Sequence, residues 1–378
     1  MSDRLIDEAA LDLLAVGGAV LGSGGGGDPY IGKLMARAAL RRHGPVRLMA
    51  LAELPDDALV VASCMMGAPT VMNEKLPRGD EATVAFRRLG AHLGHRPDAV
   101  LCIEAGGINS TIPLVVAASE GLPLLDADGM GRAFPELQMV TFTLDGIAAT
   151  PMALADDKGN SVLFETISNR WTERLARSAT VDMGGAALVA FYPMSGAAAK
   201  RAAIPGTVSL AIAIGRRLAD ARAARADPVA ALAALLSGVV LLDGRVVDAQ
   251  RRTVGGFVRG EAEVAGVGEW DGQRLRLAFQ NEFLLAERDG VAVATTPDLI
   301  IVLDSETGAP ITTEAMRYGL RVTALGVRCD PRWHTAAGLA IVGPRYFGYD
   351  TDPPELLPRF VEQAVGHDLV GDQHLRPE

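Results

Sequence analysis

Apolar positions recur at helical spacing from Arg4 to Leu21, with Leu5, Ala9, Leu13 and Val16 on one face, and predict a helix. The chain then enters Gly22-Ser23-Gly24-Gly25-Gly26-Gly27-Asp28-Pro29. Tyr30 to Arg42 again carry a helical pattern, with Pro29 placed where a first turn tolerates it. Short apolar runs follow at Val46 to Ala50, Ala58 to Ser63 and Ala99 to Ile103, the pattern of strands buried on both faces. Thr111 to Glu120 has the composition and length of a crossover helix ahead of Pro123-Leu124-Leu125, which completes a β-α-β unit and implies a parallel sheet. Gln138 to Leu144 reads as a further strand. Trp171 to Leu242 are largely helical in pattern, broken at Tyr192-Pro193, Ile204-Pro205-Gly206 and Asp227-Pro228. From Arg245 to Tyr349, β-type runs alternate with the turn signals Asp271-Gly272, Asp289-Gly290 and Thr307-Gly308.

These patterns predict an α/β protein in two parts. Residues 1–170 form a three-layer-like α/β domain with a largely parallel sheet. Residues 171–370 form a mixed, β-rich domain, helical over 171–242 and β-rich over 245–350. Parallel strands deliver the residues after their C-terminal ends to one common edge. Three such ends are Ser63-Cys64, Glu104-Ala105-Gly106-Gly107-Ile108-Asn109 and Asp126-Ala127-Asp128.

At 378 residues, 49% apolar and 22% charged, the chain can bury a substantial core and is expected to fold throughout. A net charge of −10 opposes general binding to nucleic acid. Three scattered cysteines form no C-x-x-C pair and suit a reducing cytoplasm. Acids interrupt the first turns, so no export signal is expected; Pro228 to Leu242 falls short of the ~20 residues that span a bilayer, so no membrane insertion is expected either. The expectation is a soluble cytoplasmic enzyme acting on a small molecule. Its Ala-rich helical segment at Val229 to Leu242 can pack on a second subunit as well as in its own core, which leaves a homo-oligomer open.

Candidate chemistry gathers at the predicted sheet edge. Gly24, Gly25 and Gly26 can bring backbone N–H donors close to an anion at the start of the next helix, or can simply make a turn. The run follows a helix and lacks a Gly-Lys-Ser/Thr ending, so it is neither a dinucleotide fingerprint nor a phosphate loop. Glu104 ends an apolar strand beside two glycines, and Asn109 can cap the following helix or meet substrate. The turn from Asp126 to Glu136 holds three carboxylates and Arg132. Asp126 and Asp128 can share a proton or, with Glu104, hold a hard cation; Arg132 can fork onto a substrate carboxylate or pair internally. Lys75 can hold an anionic group. Cys64 suits packing better than nucleophilic attack, since no histidine lies near it in sequence, and the six histidines show no metal spacing. His334 reads as a surface histidine.

Taken together, Gly22 to Gly27, Gly67-Ala68-Pro69-Thr70-Val71 with Glu74-Lys75, Glu104 to Asn109, Asp126 to Met139, Asn281-Glu282, Thr296 to Ile300 and Gly343 to Tyr349 resemble the S-methyl thiohydantoin desulfurase family. The resemblance implies an N-terminal α/β domain, a C-terminal β-rich domain and replacement of a thiohydantoin sulfur by oxygen. A divalent metal is the cofactor it suggests, with Asp126 and Asp128 as candidate ligands; no nucleotide, nicotinamide or flavin is expected. In that chemistry Glu104, Asp126 and Asp128 supply the base or ligands. Lys75, Arg132, Asn109 and the glycine loop meet the substrate. Two alternatives are a metal-assisted hydantoin or cyclic amide hydrolase, and a non-catalytic subunit of a hydantoin-hydrolysing complex.

Overall fold

The computed structural model describes residues 4–68, 71, 74, 77–254 and 257–356. Its first helix, Glu8–Leu21, begins where the Asp7 carboxylate accepts the Ala10 N–H at 2.8 Å. The buried face carries Leu11, Leu14, Ala15 and Gly18, while Leu13 and Val16 are only half-buried, so the expected helix forms but turns a different face inward. The reason is an apolar run that leaves almost no polar side after Leu13. Packing against Thr207–Ala223 then decides the rotation: a Cβ on Gly17 would lie 1.8 Å from the Ala211 carbonyl oxygen, and one on Gly215 would lie 2.1 Å from that of Leu13. Two helices far apart in sequence touch backbone to backbone there.

An eight-stranded sheet runs in the order Leu5–Ile6, Val46–Met49, Leu124–Leu125, Ala99–Cys102, Leu59–Gly67, Ala186–Ser195, Met152–Ala155 and Ser161–Phe164. Val46–Met49, Leu124–Leu125, Ala99–Cys102 and Leu59–Gly67 are parallel, with the expected crossover helix at Ile112–Glu120. The other pairings are antiparallel. Thus Ala186–Ser195, in the segment whose pattern was helical, is instead a ten-residue strand at the centre of the sheet. Its run of small and apolar residues is buried on both faces, which removes the alternation that would mark a strand. Tyr192-Pro193 breaks no helix: the register shifts opposite Val60 and Ala62, and Tyr192 takes φ 49° in a bulge. Gln138 to Leu144 is likewise no strand. Met139, Val140 and Phe142 are buried, but Thr141 N donates to the Gly129 carbonyl, and the segment closes as the short helix Thr141–Leu144. Short apolar runs cannot be sorted by pattern alone.

The second sheet is wholly antiparallel, in the order Val291–Thr295, Glu282–Arg288, Arg274–Gln280, Phe257–Gly266, Val239–Val254, Arg321–Val327 and Leu299–Asp304. Asp289-Gly290 makes a two-residue hairpin with both φ positive. In Leu299–Asp304 the alternation is clean: Leu299, Ile301 and Leu303 join the core of the first sheet, whereas Ile300 and Val302 join that of the second. The strand therefore fastens the two layers together. Among the described residues, no helix is long and apolar enough to cross a membrane.

Candidate functional site

Glu104 leaves the sheet just after Ala99–Cys102, at the edge where Leu59–Gly67 also ends. Asn109 Nδ2 donates to its Oε1 at 2.7 Å, and Phe134 N donates to Oε2 at 3.3 Å. Asn109 Oδ1 in turn accepts from Met65 N at 2.7 Å, so Asn109 orients Glu104 and does not cap the helix. Burial pushes Glu104 up to about 8 against the pull of these donors, and the Asp128 charge adds to the rise.

Facing it from the second sheet is Glu282. Arg274–Gln280 and Glu282–Arg288 are joined through Asn281 alone, held at φ 59° by Val258, whose N–H donates to the Asn281 side chain and whose carbonyl accepts the Asn281 N–H. This tight corner pushes Glu282 into the seam between the sheets. Its Oε1 accepts from Gly26 N at 3.2 Å, while Oε2 is buried with no hydrogen-bond partner among the described residues. Burial, then the nearby Glu104 charge, holds its carboxyl well above the usual range. Glu104 and Glu282 line one cavity of about 60 Å³ with Asn109, Gly26, Cys64 and Arg177. At ~15 Å³ per water it holds about four waters.

The glycine loop is the hinge pin of this seam. Its backbone is engaged on both sides: Ser23 and Gly24 carbonyls accept from Phe283 and Thr313, and Gly26 accepts from Ile108. A Cβ on Gly24 would strike the Phe283 ring at 2.4 Å, and one on Gly25 would lie 2.1 Å from Glu282 Oε1. Gly26 alone of the three reaches the cavity. The loop thus offers its Gly26 N–H to a carboxylate of the chain itself, which fills the place expected for an external anion.

The acidic turn is distributed differently from the sequence expectation. Asp126 accepts from Ser209 N at 2.9 Å and from Ser209 Oγ, with Arg4 at 3.7 Å, so it caps the helix Thr207–Ala223 from a distant point in the chain. Asp128 accepts from the N–H groups of Ala105, Met130 and Gly131, and burial pushes it up to about 7. Both oxygens of each acid are engaged by donors within the chain, and neither acid lines the cavity. Arg132 is fully buried. It donates to the carbonyls of Ala133, Pro297, Asp298 and Phe283 and lies 4.8 Å over the Phe134 ring, which leaves it no fork for a substrate carboxylate. Lys75 lies outside the described residues.

Two lining groups escaped the sequence reading. Arg177, which binds Glu173 and the Pro135 carbonyl, is the cation of the cavity wall among the described residues; Glu282 is its second buried acid, and half-buried Glu136 of the acidic turn lines it too. Cys64 also lines the cavity, but burial and the Glu104 charge push its thiol well up, which keeps it neutral. His334, expected at the surface, is held against Asp298 at 2.8 Å. The placements give a direct expectation for Asp126→Ala: about 1–2 kcal/mol of stability lost with the helix cap, and turnover per folded molecule retained. A hundredfold fall in kcat at full folding would return Asp126 to the chemistry.

Two family models cover the chain, the S-Me-THD-like N-terminal domain over residues 9–166 and the S-Me-THD-like C-terminal domain over residues 167–356. A crystal structure of a protein from Chromobacterium violaceum shares the fold, with a TM-score of 0.77 and 25% identity over 93% of this chain and 99% of that one. Among curated proteins none matches. The chain, α/β in its first half and antiparallel β-rich in its second, belongs to the S-methyl thiohydantoin desulfurase family.

Proposed function

We propose that this chain hydrolytically desulfurises a thiohydantoin-type ring, replacing its exocyclic C=S by C=O, between Glu104 and Glu282. The observation that carries the proposal is the pair of buried carboxyls facing one small cavity at the end of parallel strands. Hydrolysis of this kind needs a base for water and an acid for the departing sulfur. Two coupled acids whose affinities for protons are set apart by their surroundings can hold both roles at one pH. Glu104, aimed by Asn109, is the base; Glu282, held up by burial and with one oxygen lacking a partner among the described residues, is the acid. The cavity's size favours the edge of a small ring over a polymer.

Ionised Glu104 takes one proton from water as the water oxygen bonds to the carbon bearing sulfur. Protonated Glu282 passes its proton to sulfur, the C–S bond breaks, and the remaining hydroxyl proton returns to Glu282 as C=O forms. Glu104 then releases its proton to solvent. The sum is one water consumed and hydrosulfide plus a proton released; for an S-alkylated ring the sulfur leaves as a thiol. Arg177 at the wall supplies positive charge for the anionic sulfur. A divalent metal remains part of the proposal, with Asp126 and Asp128 as its candidate ligands, whose oxygens now accept hydrogen bonds from Ser209, Ala105, Met130 and Gly131.

The deciding experiment supplies a thiohydantoin and follows free sulfide or thiol together with the mass of the product. Ring opening without sulfur release would support a cyclic amide hydrolase instead. The pH dependence is a second check. Glu104 must be ionised, so kcat/KM rises with pH up to about 8 and falls again once Glu282 loses its proton. A profile flat from about pH 6 to 9 would contradict the assignment. Stability carries the same sign: a carboxyl raised in the folded state stabilises fully below its unfolded pKa of 4.5, and that contribution is lost as pH rises through about 8. The melting temperature should therefore fall between about pH 4.5 and 8, and Glu104→Gln should flatten the fall.

A further inference from the structure

Away from the cavity, three side chains of different chemistry converge. Asp298 stands in the turn before the strand Leu299–Asp304, Cys329 follows the end of the strand Arg321–Val327, and His334 ends the short helix Pro331–His334. Each offers one ligand atom, and the carboxylate oxygen, the sulfur and the imidazole nitrogen all lie within 4.8 Å of one another. We propose that Asp298, Cys329 and His334 bind a single transition-metal ion of the zinc type.

The donor set argues for the class of ion. A thiolate and an imidazole beside one carboxylate match zinc and its neighbours, whereas magnesium and calcium favour oxygen alone. Three such donors around zinc stand roughly 3.3–3.8 Å apart at bond lengths of about 2.0–2.3 Å, so small rotations of the Cys329 and His334 side chains suffice. His334 Nε2 already meets Asp298 Oδ1 at 2.8 Å, the contact that an ion between them would replace.

The surroundings hold the carboxylate in place. Arg328 Nη1 binds Asp298 Oδ2 at 3.0 Å and Cys329 N donates to Oδ1 at 3.0 Å, partners of the kind that orient metal ligands. Arg328 occupies the oxygen that the ion does not need. The thiol gives up its proton to solvent on binding, and carboxylate plus thiolate then neutralise a divalent charge. Asp298 and Cys329 are buried while His334 is 20% exposed, which leaves an entry path on the histidine side and room for a fourth ligand from solvent.

This centre is separate from the cavity but fastened to its wall. Arg132 donates to the Asp298 carbonyl, and Trp333, next to His334, packs edge-on against Phe134 with ring centroids 5.2 Å apart. A bound ion would therefore stiffen the wall that carries the Phe134 N–H to Glu104.

Cobalt titration of the chelator-stripped full chain tests the site without reference to turnover. One equivalent should bind, with a sulfur-to-cobalt band in the near ultraviolet and strong visible bands of a tetrahedral ion. Cys329→Ser should lose the sulfur band, Cys64→Ser should keep it, and His334→Gln should weaken binding by at least about 10–100-fold. Zinc should raise the melting temperature of the parent chain and not that of His334→Gln, which covers the case of a variant that folds poorly. Binding well below one equivalent, or an unchanged cobalt spectrum in Cys329→Ser, overturns the proposal. Because no readout is activity, metal binding and thiohydantoin hydrolysis can fail independently.

Discussion

Glu282→Gln is expected to lower kcat/KM for sulfur release by about 10²–10⁴-fold, the range that a positioned acid or base contributes. The exchange keeps the volume of the side chain and its acceptor for the Gly26 N–H, and it removes only the transferable proton. Glu104→Gln should fall by a similar factor, and the double variant by far less than the product of the two, since the groups act as one unit. Gly25→Ala gives an independent route to the same end. The added methyl would lie 2.1 Å from Glu282 Oε1 and 2.4 Å from Cδ, so Glu282 must leave its place although no acid is altered. Steady-state kinetics on chains shown to be folded by their melting curves decide the matter. Glu282→Gln turning over within tenfold of the parent chain would remove it from the mechanism.

Arg132→Met is expected to cost about 3–5 kcal/mol of stability, the range for breaking a buried charged network by removing one partner. The guanidinium is fully buried and holds carbonyls from both halves of the seam: Ala133 in the acidic turn, and Phe283, Pro297 and Asp298 in the second half. Without it these carbonyls are buried and unsatisfied, each a penalty of roughly 1–3 kcal/mol before relaxation. Burial pushes Arg132 down to about 10, so it is still charged at neutral pH, and Glu282, Asp298 and Glu104 all feel its charge. Losing it should therefore raise both cavity acids further and move the pH optimum upward. Arg132→Lys should recover little, because a single ammonium cannot span the same fork of acceptors. Chemical unfolding measures the effect; a loss under 1 kcal/mol would show that the seam does not depend on Arg132.

Glu104, Asn109 and Gly26 were legible because a parallel sheet sends strand ends to one edge, and an acid followed by two glycines stands out there. Asp126 and Asp128 stood out for the same reason, yet their partners differ in kind. Ser209, 83 residues away, and the Ala105 amide take up their oxygens. A sequence can place a carboxylate at an edge without stating which donors await it. Asn281-Glu282 was visible as part of a family pattern but carried no role, since its meeting with Gly26 spans 256 residues. His334 looked like a surface residue for a similar reason: Cys329 stands only five residues before it, but Asp298, 36 residues away, meets them only in the fold.

By itself the sequence determined the class of fold, the order of its first elements, the parallel β-α-β core and the family, all of which follow from local periodicity, turn chemistry and short motifs. It also determined that acids and glycines crowd one sheet edge. Only the tertiary structure decided which of them meet. It placed Ala186–Ser195 in the first sheet, put Glu282 opposite Glu104, and turned Asp126, Asp128 and Arg132 toward partners within the chain. The physical reason is that a buried polar group must find its partner, and the partners here come from strands and helices that meet only when the two layers pack.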